Sequence, residues 1–203
     1  MNKIRSVCVY CGSSTGKGGA YLEAGHVLGR SLAKSGLRLV YGGGTKGVMG
    51  AVCEGVLRAG GKVSGIIPRF LLNKETTEPA LSRLDELVIT ENMHERKHLM
   101  FEKSDAFVAL PGGIGTVEEI IEIMTWAQLG HHRKPIVFAN INGFWNPMLA
   151  LLKHMTDEGF IHTAEKVKPL VVEDAERIVA AILVAGSADG APTEGMSSVI
   201  ENL

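Results

Sequence analysis

Cysteine is scarce in this chain, charge is balanced and long apolar runs are missing; each shortage removes a class of protein. The three cysteines, Cys8, Cys11 and Cys53, are an odd set with no second pair for a metal site. Cys8 and Cys11 have redox spacing, yet Cys8 falls inside a strand-like run and not at a helix start, where a thiolate would be stabilised. Small buried apolar side chains are the expectation. A formal net charge of −1 over 203 residues leaves no clustered basic excess for a general nucleic-acid surface. No stretch approaches the ~20 apolar residues of a membrane span, and Met1 to Arg5 lead straight into strand-like Val7 to Tyr10 without a signal-type core. A cytoplasmic protein with neither membrane nor nucleic-acid partners is expected.

What is present is alternation. With 45% hydrophobic residues the chain can bury one substantial α/β core, expected as a single nucleotide-binding domain over 1–185. The Gly-, Ser- and Ala-rich tail 186–203 is expected to be flexible. Strands are predicted near 4–10, 37–41, 62–67, 86–90, 105–110, 135–139 and 167–172. Helices are predicted at 19–35, 47–60, 93–103, 116–129, 144–158 and 174–184. Apolar strands alternating with helices indicate a Rossmann-like, doubly wound parallel sheet with helices on both faces. The long connection 68–84, which opens with Pro68 and includes Pro79, is expected to act as a lid. Ligands of such sheets bind beyond the carboxyl ends of the strands, where the glycines collect: Gly12, Gly42 to Gly44, and Gly112 with Gly113.

The most informative stretch is Pro111-Gly-Gly-Ile-Gly-Thr-Val-Glu-Glu119, a glycine turn between a buried strand and a helix. Glycines let a ligand approach backbone N–H groups without meeting a Cβ, and those groups with the helix start can hold a phosphate. A plainer reading is a capping box, with Thr116 capping the helix and Glu119 bonding back to it. An anion beside Glu119 requires a cation nearby. Met93, Arg96, Lys97 and Met100 share one face of the preceding helix by their spacing, so Arg96 and Lys97 can supply it; a salt-bridged surface face is the plainer alternative.

Three other motifs compete. Gly42 to Gly47 formally satisfies G-x-G-x-x-G, but no acidic residue ends the next strand, where Ile66-Ile-Pro-Arg69 stands. Gly12 to Gly18 resembles a P-loop without its spacing. His94-Glu-Arg-Lys-His98 spells the zinc pattern H-E-x-x-H, yet Arg96 and Lys97 lie between the histidines and no third ligand stands out among His131, His132 and His154. Solvated histidines on an exposed face are the alternative.

Met93 to Lys97 followed by Pro111 to Glu119 resembles the paired signature of the LONELY GUY family of cytokinin riboside 5'-monophosphate phosphoribohydrolases, formerly labelled lysine decarboxylase-like. The resemblance runs from residue 1 to about 180. It takes in Val9 to Ser14, Tyr41 to Gly44, Gly47 to Gly50, Ile67-Pro68, Lys74-Glu75, Thr125 to Gly130 and Gly143-Phe144. It implies hydrolysis of the N-glycosidic bond of cytokinin nucleotides and AMP to free base and ribose 5-phosphate, with no cofactor and no metal. It implies Arg96 and Glu119 as catalytic residues. It places Ser13, Gly43, Glu75, Met93, Lys97, Gly112, Gly113, Ile114, Gly115, Thr116 and Thr125 at the substrate.

Glu119 fits the chemistry, since a carboxylate stabilises the oxocarbenium charge that develops on the ribose. No second carboxylate presents itself to protonate the departing base. The resemblance also implies a homodimer, for which Ile120, Ile121, Met124 and Trp126 are candidate contacts. Two rivals remain open: a lysine decarboxylase, which normally needs pyridoxal phosphate on a lysine, and a nucleotide-binding protein without catalysis.

Overall fold

A computed structural model describes residues 4–75, 81–161 and 169–187, without the side chains of residues 73 and 75. The strands are β1 (Ser6–Tyr10), β2 (Arg38–Tyr41), β3 (Val63–Pro68), β4 (Glu86–Thr90), β5 (Ala106–Ala109), β6 (Ile136–Ala139) and β7 (Leu170–Val172). The main helices are α1 (Ala20–Lys34), α2 (Gly47–Arg58), α3 (Met93–Glu102), α4 (Ile114–Gln128), α5 (Asn146–Asp157) and α6 (Ile178–Ser187). All seven strands pair in parallel in the order β4-β3-β2-β1-β5-β6-β7. This is the doubly wound α/β sheet that the alternation predicts.

Period-two alternation within each strand feeds two cores, one per face. In β1 and the residue after it, Val7, Val9 and Cys11 pack with Leu28 and Leu32 of α1 and with Val48, Val52 and Val56 of α2. Cys8 and Tyr10 point the other way, among Met100 and Phe101 of α3, Ile120 and Ile123 of α4 and Leu149 of α5. Strands buried on both faces carry near-continuous apolar runs, which is why β1, β3, β5 and β6 lack surface-type alternation, with only the small Ser6 and Ser64 as buried polar side chains.

The differences from expectation are local. Helix α4 begins at Ile114, two residues before the predicted start, because Gly113 takes the N-cap place. The expected lid contains a short helical segment, a 3₁₀ turn Arg69–Leu71 leading into Leu72–Glu75; residues 76–80 lie outside the described residues. Helix α6 runs through Ser187, past the expected end of the domain, and the remainder of the tail, 188–203, also lies outside the described residues. So do residues 167 and 168, where the last strand was expected to start.

Candidate functional site

Successive strands β1 to β4 run to one side of the sheet and β5 to β7 to the other, so the switch point lies between β1 and β5. Crevices outside the carboxyl ends at such a point are where α/β sheets bind ligands. The loops leaving β1 and β5 meet there: the Gly12 N–H donates to the Pro111 carbonyl at 3.1 Å. The turn that follows is tight. A Cβ on Gly112 would stand 2.1 Å from Thr116 Oγ1 and 2.8 Å from the Gly12 nitrogen, so only glycine fits.

The first intrahelical bond recorded at the start of α4 is from the Val117 N–H to the Gly113 carbonyl, 3.1 Å. The N–H groups of Ile114, Gly115 and Thr116 lie ahead of that ladder, as the first groups of any helix do. With the helix dipole behind them they form an anion-binding end. No side-chain cap occupies it, so the capping-box reading fails: Thr116 and Glu119 sit inside the helix instead of at its edge.

Behind this end two charges are buried together. Arg96 of α3 is 6% exposed and Glu119 of α4 is 8% exposed; Arg96 Nη2 lies 3.4 Å from Glu119 Oε1. The guanidinium lies against Gly42, where any Cβ would stand 2.1 Å from Nη2. Its Nη1 reaches Met93 Sδ at 3.6 Å, and its Nε has no hydrogen-bond partner among the described residues. A guanidinium has five donors, so this one retains capacity for an anionic or hydroxyl-bearing ligand.

These groups line a cavity of about 300 Å³, at the lower end of the ~300–1,000 Å³ typical of small-molecule sites. Its polar wall comes from Arg96, Glu119, Thr116 and the turn Gly113 to Gly115, with Ser13 on the opposing loop. Tyr10, Cys11, Met49 and Met100 supply an apolar wall. Glu119 is the one carboxylate in this lining, among the described residues. Burial pushes the Tyr10 phenol and the Cys8 and Cys11 thiols well up, with the charge of Glu119 adding to each, so all three stay neutral. Cys8 and Cys11 also face opposite sides of the sheet, which removes the redox reading of their spacing.

The expected site residues divide. Arg96, Glu119, Ser13, Gly113, Ile114, Gly115 and Thr116 come together around the cavity. Gly112 lies beneath the turn, and Met93 touches the cavity only through Arg96. Gly43, at φ 76° and packed on Ile67, stands one residue beyond Gly42, which lines the cavity in its place. Lys97 does not line it: its ammonium is ion-paired with Glu118 and with Glu122, the latter at 3.1 Å. Thr125 is exposed and spends its hydroxyl on the Ile121 carbonyl at 2.8 Å, roughly 13 Å along the helix from Thr116 at 1.5 Å per residue. The Glu75 side chain lies outside what the structure describes. Val9, Tyr10, Cys11, Gly12, Gly42, Met49 and Met100 complete the lining and were not expected. The signals for them were the position of Gly12 and Gly42 at strand ends, the place of Met100 on the Arg96 helix face, and the inclusion of Val9 to Gly12, Gly42 and Met49 in the stretches of the resemblance.

The rival motifs are used otherwise. The α2 helix start that follows Gly42 to Gly47 is filled, because the Val48 and Met49 N–H groups donate to the carbonyls of Ser14 and Gly12 at 3.3 and 3.2 Å. The loop with the P-loop-like sequence is thus a plug for α2, and neither motif offers a phosphate cradle. His94 and His98 are exposed, and Glu95 is engaged at the start of α3, its N–H donating to the Asn92 cap and its carboxylate accepting from the Glu91 N–H, both at 2.9 Å. Among the described residues no three His, Cys, Asp or Glu side chains gather as a metal site would require. A larger hollow of about 570 Å³ lies at the amino ends of the strands. Four of its side chains are joined, Arg38 to Ser64 to Glu86 to Lys103, and Asp85 accepts from the Val63 N–H.

A family model described as "Possible lysine decarboxylase" matches residues 49–182. The cytokinin riboside 5'-monophosphate phosphoribohydrolase of Rhodococcoides fascians is 44% identical over 178 residues, which cover 88% of this chain and 89% of that protein. The protein of the same name, LOG, from Oryza sativa subsp. japonica is 44% identical over 179 residues, covering 88% of this chain and 68% of its own length. Among solved structures, the molybdenum cofactor carrier protein of Chlamydomonas reinhardtii has a TM-score of 0.68 at 22% identity, covering 92% of this chain and 100% of that one. That likeness concerns the fold alone. In sequence, the chain belongs to the possible lysine decarboxylase family and, within it, to the LONELY GUY proteins of which these phosphoribohydrolases are members.

Proposed function

We propose that the cavity between β1 and β5 hydrolyses the N-glycosidic bond of cytokinin riboside 5'-monophosphates, and of AMP, to free base and ribose 5-phosphate. One observation carries the assignment: an open helix end suited to phosphate and a buried arginine–carboxylate pair share one cavity. The 5'-phosphate binds the N–H groups of Ile114, Gly115 and Thr116. Glu119 faces the ribose, stabilises the positive charge that develops as the base departs and orients the attacking water. Arg96 offsets the negative charge that Glu119 and the substrate would otherwise share. The apolar wall of Met49 and Met100 is left for the base.

The lysine decarboxylase description fits less well, because none of the described lining residues is a lysine that could carry pyridoxal phosphate. Incubating the purified protein with isopentenyladenosine monophosphate and with AMP, then quantifying free base, tests the reading; binding of either without base release would favour a nucleotide-binding protein.

A homodimer is part of the same proposal. Ile120 and Met124 are consumed by the core. Ile114 and Leu129 are 89% and 78% exposed, and Val117 and Ile121, partly buried, lie between them along α4. This apolar strip begins at the cavity mouth and suits a second copy; light scattering at micromolar concentration tests it. No described helix is long and apolar enough to cross a membrane, and a nucleotide substrate puts the protein, on this reading, in the cytoplasm.

A further inference from the structure

The carboxyl end of β5, which leads into the glycine turn of α4, is held from two sides. Toward β1 the Leu110 N–H donates to the Tyr10 carbonyl at 3.0 Å. Where the recorded pairing of β5 with β6 ends, at Ala109 and Phe138, the bond comes from a side chain: Trp145 Nε1 donates to the Ala109 carbonyl at 3.0 Å. Both residues are buried, so water does not compete for this bond. Trp145 is itself anchored. Its N–H donates to Asn140 Oδ1 at 2.8 Å, and Asn140 Nδ2 donates to Asn146 Oδ1 at 2.8 Å. The turn between them passes through Asn142 at φ 53°, the one non-glycine residue with a left-handed φ among the described residues; such outliers persist where the surroundings over-determine them. From Trp145 a row of rings continues. Phe144 stands edge-on to Tyr21 of α1 and to Trp145, at 5.6 and 4.9 Å between centroids. The Tyr21 ring lies against Gly16, where a Cβ would come within 2.7 Å of Cδ2. Gly16 belongs to the loop that brings Ser13 to the cavity.

We propose that Trp145 is a positioning residue for the substrate phosphate, setting the glycine turn through Ala109 and the Ser13 loop through Phe144 and Tyr21. This rests on the phosphate-binding part of the hydrolase reading above. The two loops touch where the Gly12 N–H meets the Pro111 carbonyl at 3.1 Å, so a rigid aromatic pair that grips both fixes their separation. The turn holds phosphate by direction as well as by charge, because hydrogen bonds weaken steeply once the donor points away, and a binding constellation tolerates errors of only ~0.5 Å or ~10–20°. Glu119 depends less on the indole, since Ile120 and Ile123 seat its helix in the core. Trp145 is not part of the cavity lining. Its loss should therefore weaken phosphate binding more than the turnover of bound substrate.

The test compares Trp145→Phe, which keeps an apolar ring and removes the donor, with Phe144→Leu and with Leu32→Ala, a core control on α1. The readouts are AMP turnover and calorimetric binding of ribose 5-phosphate. Trp145→Phe should raise Kd for ribose 5-phosphate and KM for AMP by roughly 5- to 30-fold, the worth of one buried hydrogen bond. Its kcat should stay within about threefold and its binding at one per chain. That stoichiometry separates a displaced turn from partial unfolding, which would lower it. Leu32→Ala should lose stability at a Kd within about twofold of the parent; an equal rise in Kd there would reduce the effect of Trp145 to instability and overturn the proposal. Unchanged Kd and KM in Trp145→Phe would also overturn it. Phe144→Leu leaves the indole bond and breaks the row to Tyr21, and it decides the matter if Trp145→Phe fails to fold: Kd should rise about threefold or more, and an unchanged Kd overturns the proposal. The parent protein run alongside keeps the two readings apart. Ribose 5-phosphate binding without base release defeats the hydrolase assignment alone, and the Kd comparison still decides the role of Trp145. A parent that binds no ribose 5-phosphate overturns that role together with the phosphate turn.

Discussion

Two helices of this protein begin at glycine-rich turns leaving the same edge of the sheet, and they are used in opposite ways. At α2 the Gly12 and Ser14 carbonyls occupy the Met49 and Val48 N–H groups, and Gly47, at φ 57°, makes room for the incoming loop, since a Cβ there would lie 2.4 Å from the Ser13 carbonyl carbon. At α4 no side-chain cap and, among the described residues, no carbonyl from another loop bonds the first N–H groups, and a buried arginine and glutamate stand behind them. One turn is internal structure; the other lines the cavity of the proposed site. Glycine content does not distinguish them, because the α2 turn has the more recognisable dinucleotide pattern. What distinguishes them is which backbone carbonyls reach the helix end.

The strongest way to break this contrast is at Glu119. Glu119→Gln keeps shape and removes charge, and it should lower the rate of base release by ~10²–10⁴-fold with little change in ribose 5-phosphate affinity. An unaltered rate would leave α4 as a binding end without catalysis. Next come the glycines themselves. Gly47→Ala should destabilise the fold by about 2–5 kcal/mol, from left-handed strain and overpacking, read as a lower unfolding midpoint, while its folded fraction keeps a normal KM. Gly112→Ala should do the reverse in emphasis, since its Cβ would push directly on Thr116 and the Gly12 backbone: ribose 5-phosphate binding should fall at least tenfold in protein that remains folded. Equal effects on both readouts in both variants would erase the distinction.

A smaller effect sharpens the same comparison. At a concentration 100 times its Kd, ribose 5-phosphate should stabilise the parent by ~2.7 kcal/mol. At the same concentration that stabilisation should survive in Gly47→Ala and fall to ~1.4 kcal/mol or less in Gly112→Ala.

The smallest expected effect concerns the far end of α4. His132 is buried, takes the Lys134 N–H on Nδ1 at 3.1 Å and therefore donates from Nε2 to the Ile123 carbonyl at 3.0 Å. Burial, and then the charges of Lys134 and His131, hold its pKa below the usual histidine value, against the pull of the Ile123 carbonyl. The native state keeps His132 neutral while the unfolded chain takes up a proton below ~6.5. Its contribution to stability is therefore full above that value and is lost as pH falls toward and through the lower native pKa. Thermal unfolding of the parent and of His132→Gln should differ most at pH 7.5 and converge toward pH 5; a constant gap would defeat the assignment.

Much of the fold was legible because periodicity is local information. Every predicted strand and helix appears among the described residues, with ends displaced by a few residues where caps decide them, as Gly113 does for α4. Arg96 and Glu119 were legible through the resemblance, and the open turn through its glycines. The partners of Lys97 were not legible, because helical spacing puts it beside Arg96 without saying which neighbour it meets; Glu118 and Glu122 come from another helix. Tyr10 and Met49 lay within stretches of the resemblance and Met100 on the helix face of Arg96, yet nothing assigned them to the site, since their membership of it depends on β1 and α2 lying next to α3 and α4.

By itself, then, the sequence determined a parallel α/β sheet, two glycine turns able to start helices, and a carboxylate and a guanidinium in motifs of a known family. Hydrophobic period and backbone sterics act over a few residues, and these features need no more than that. Only the tertiary structure decided which helix end stays open, because the plugging carbonyls of Gly12 and Ser14 reach α2 from more than thirty residues away. The same holds for the pairing of Arg96 with Glu119 and of Lys97 with Glu118 and Glu122: both depend on how two helices pack over β1 and β5, and packing is a property of the whole sheet.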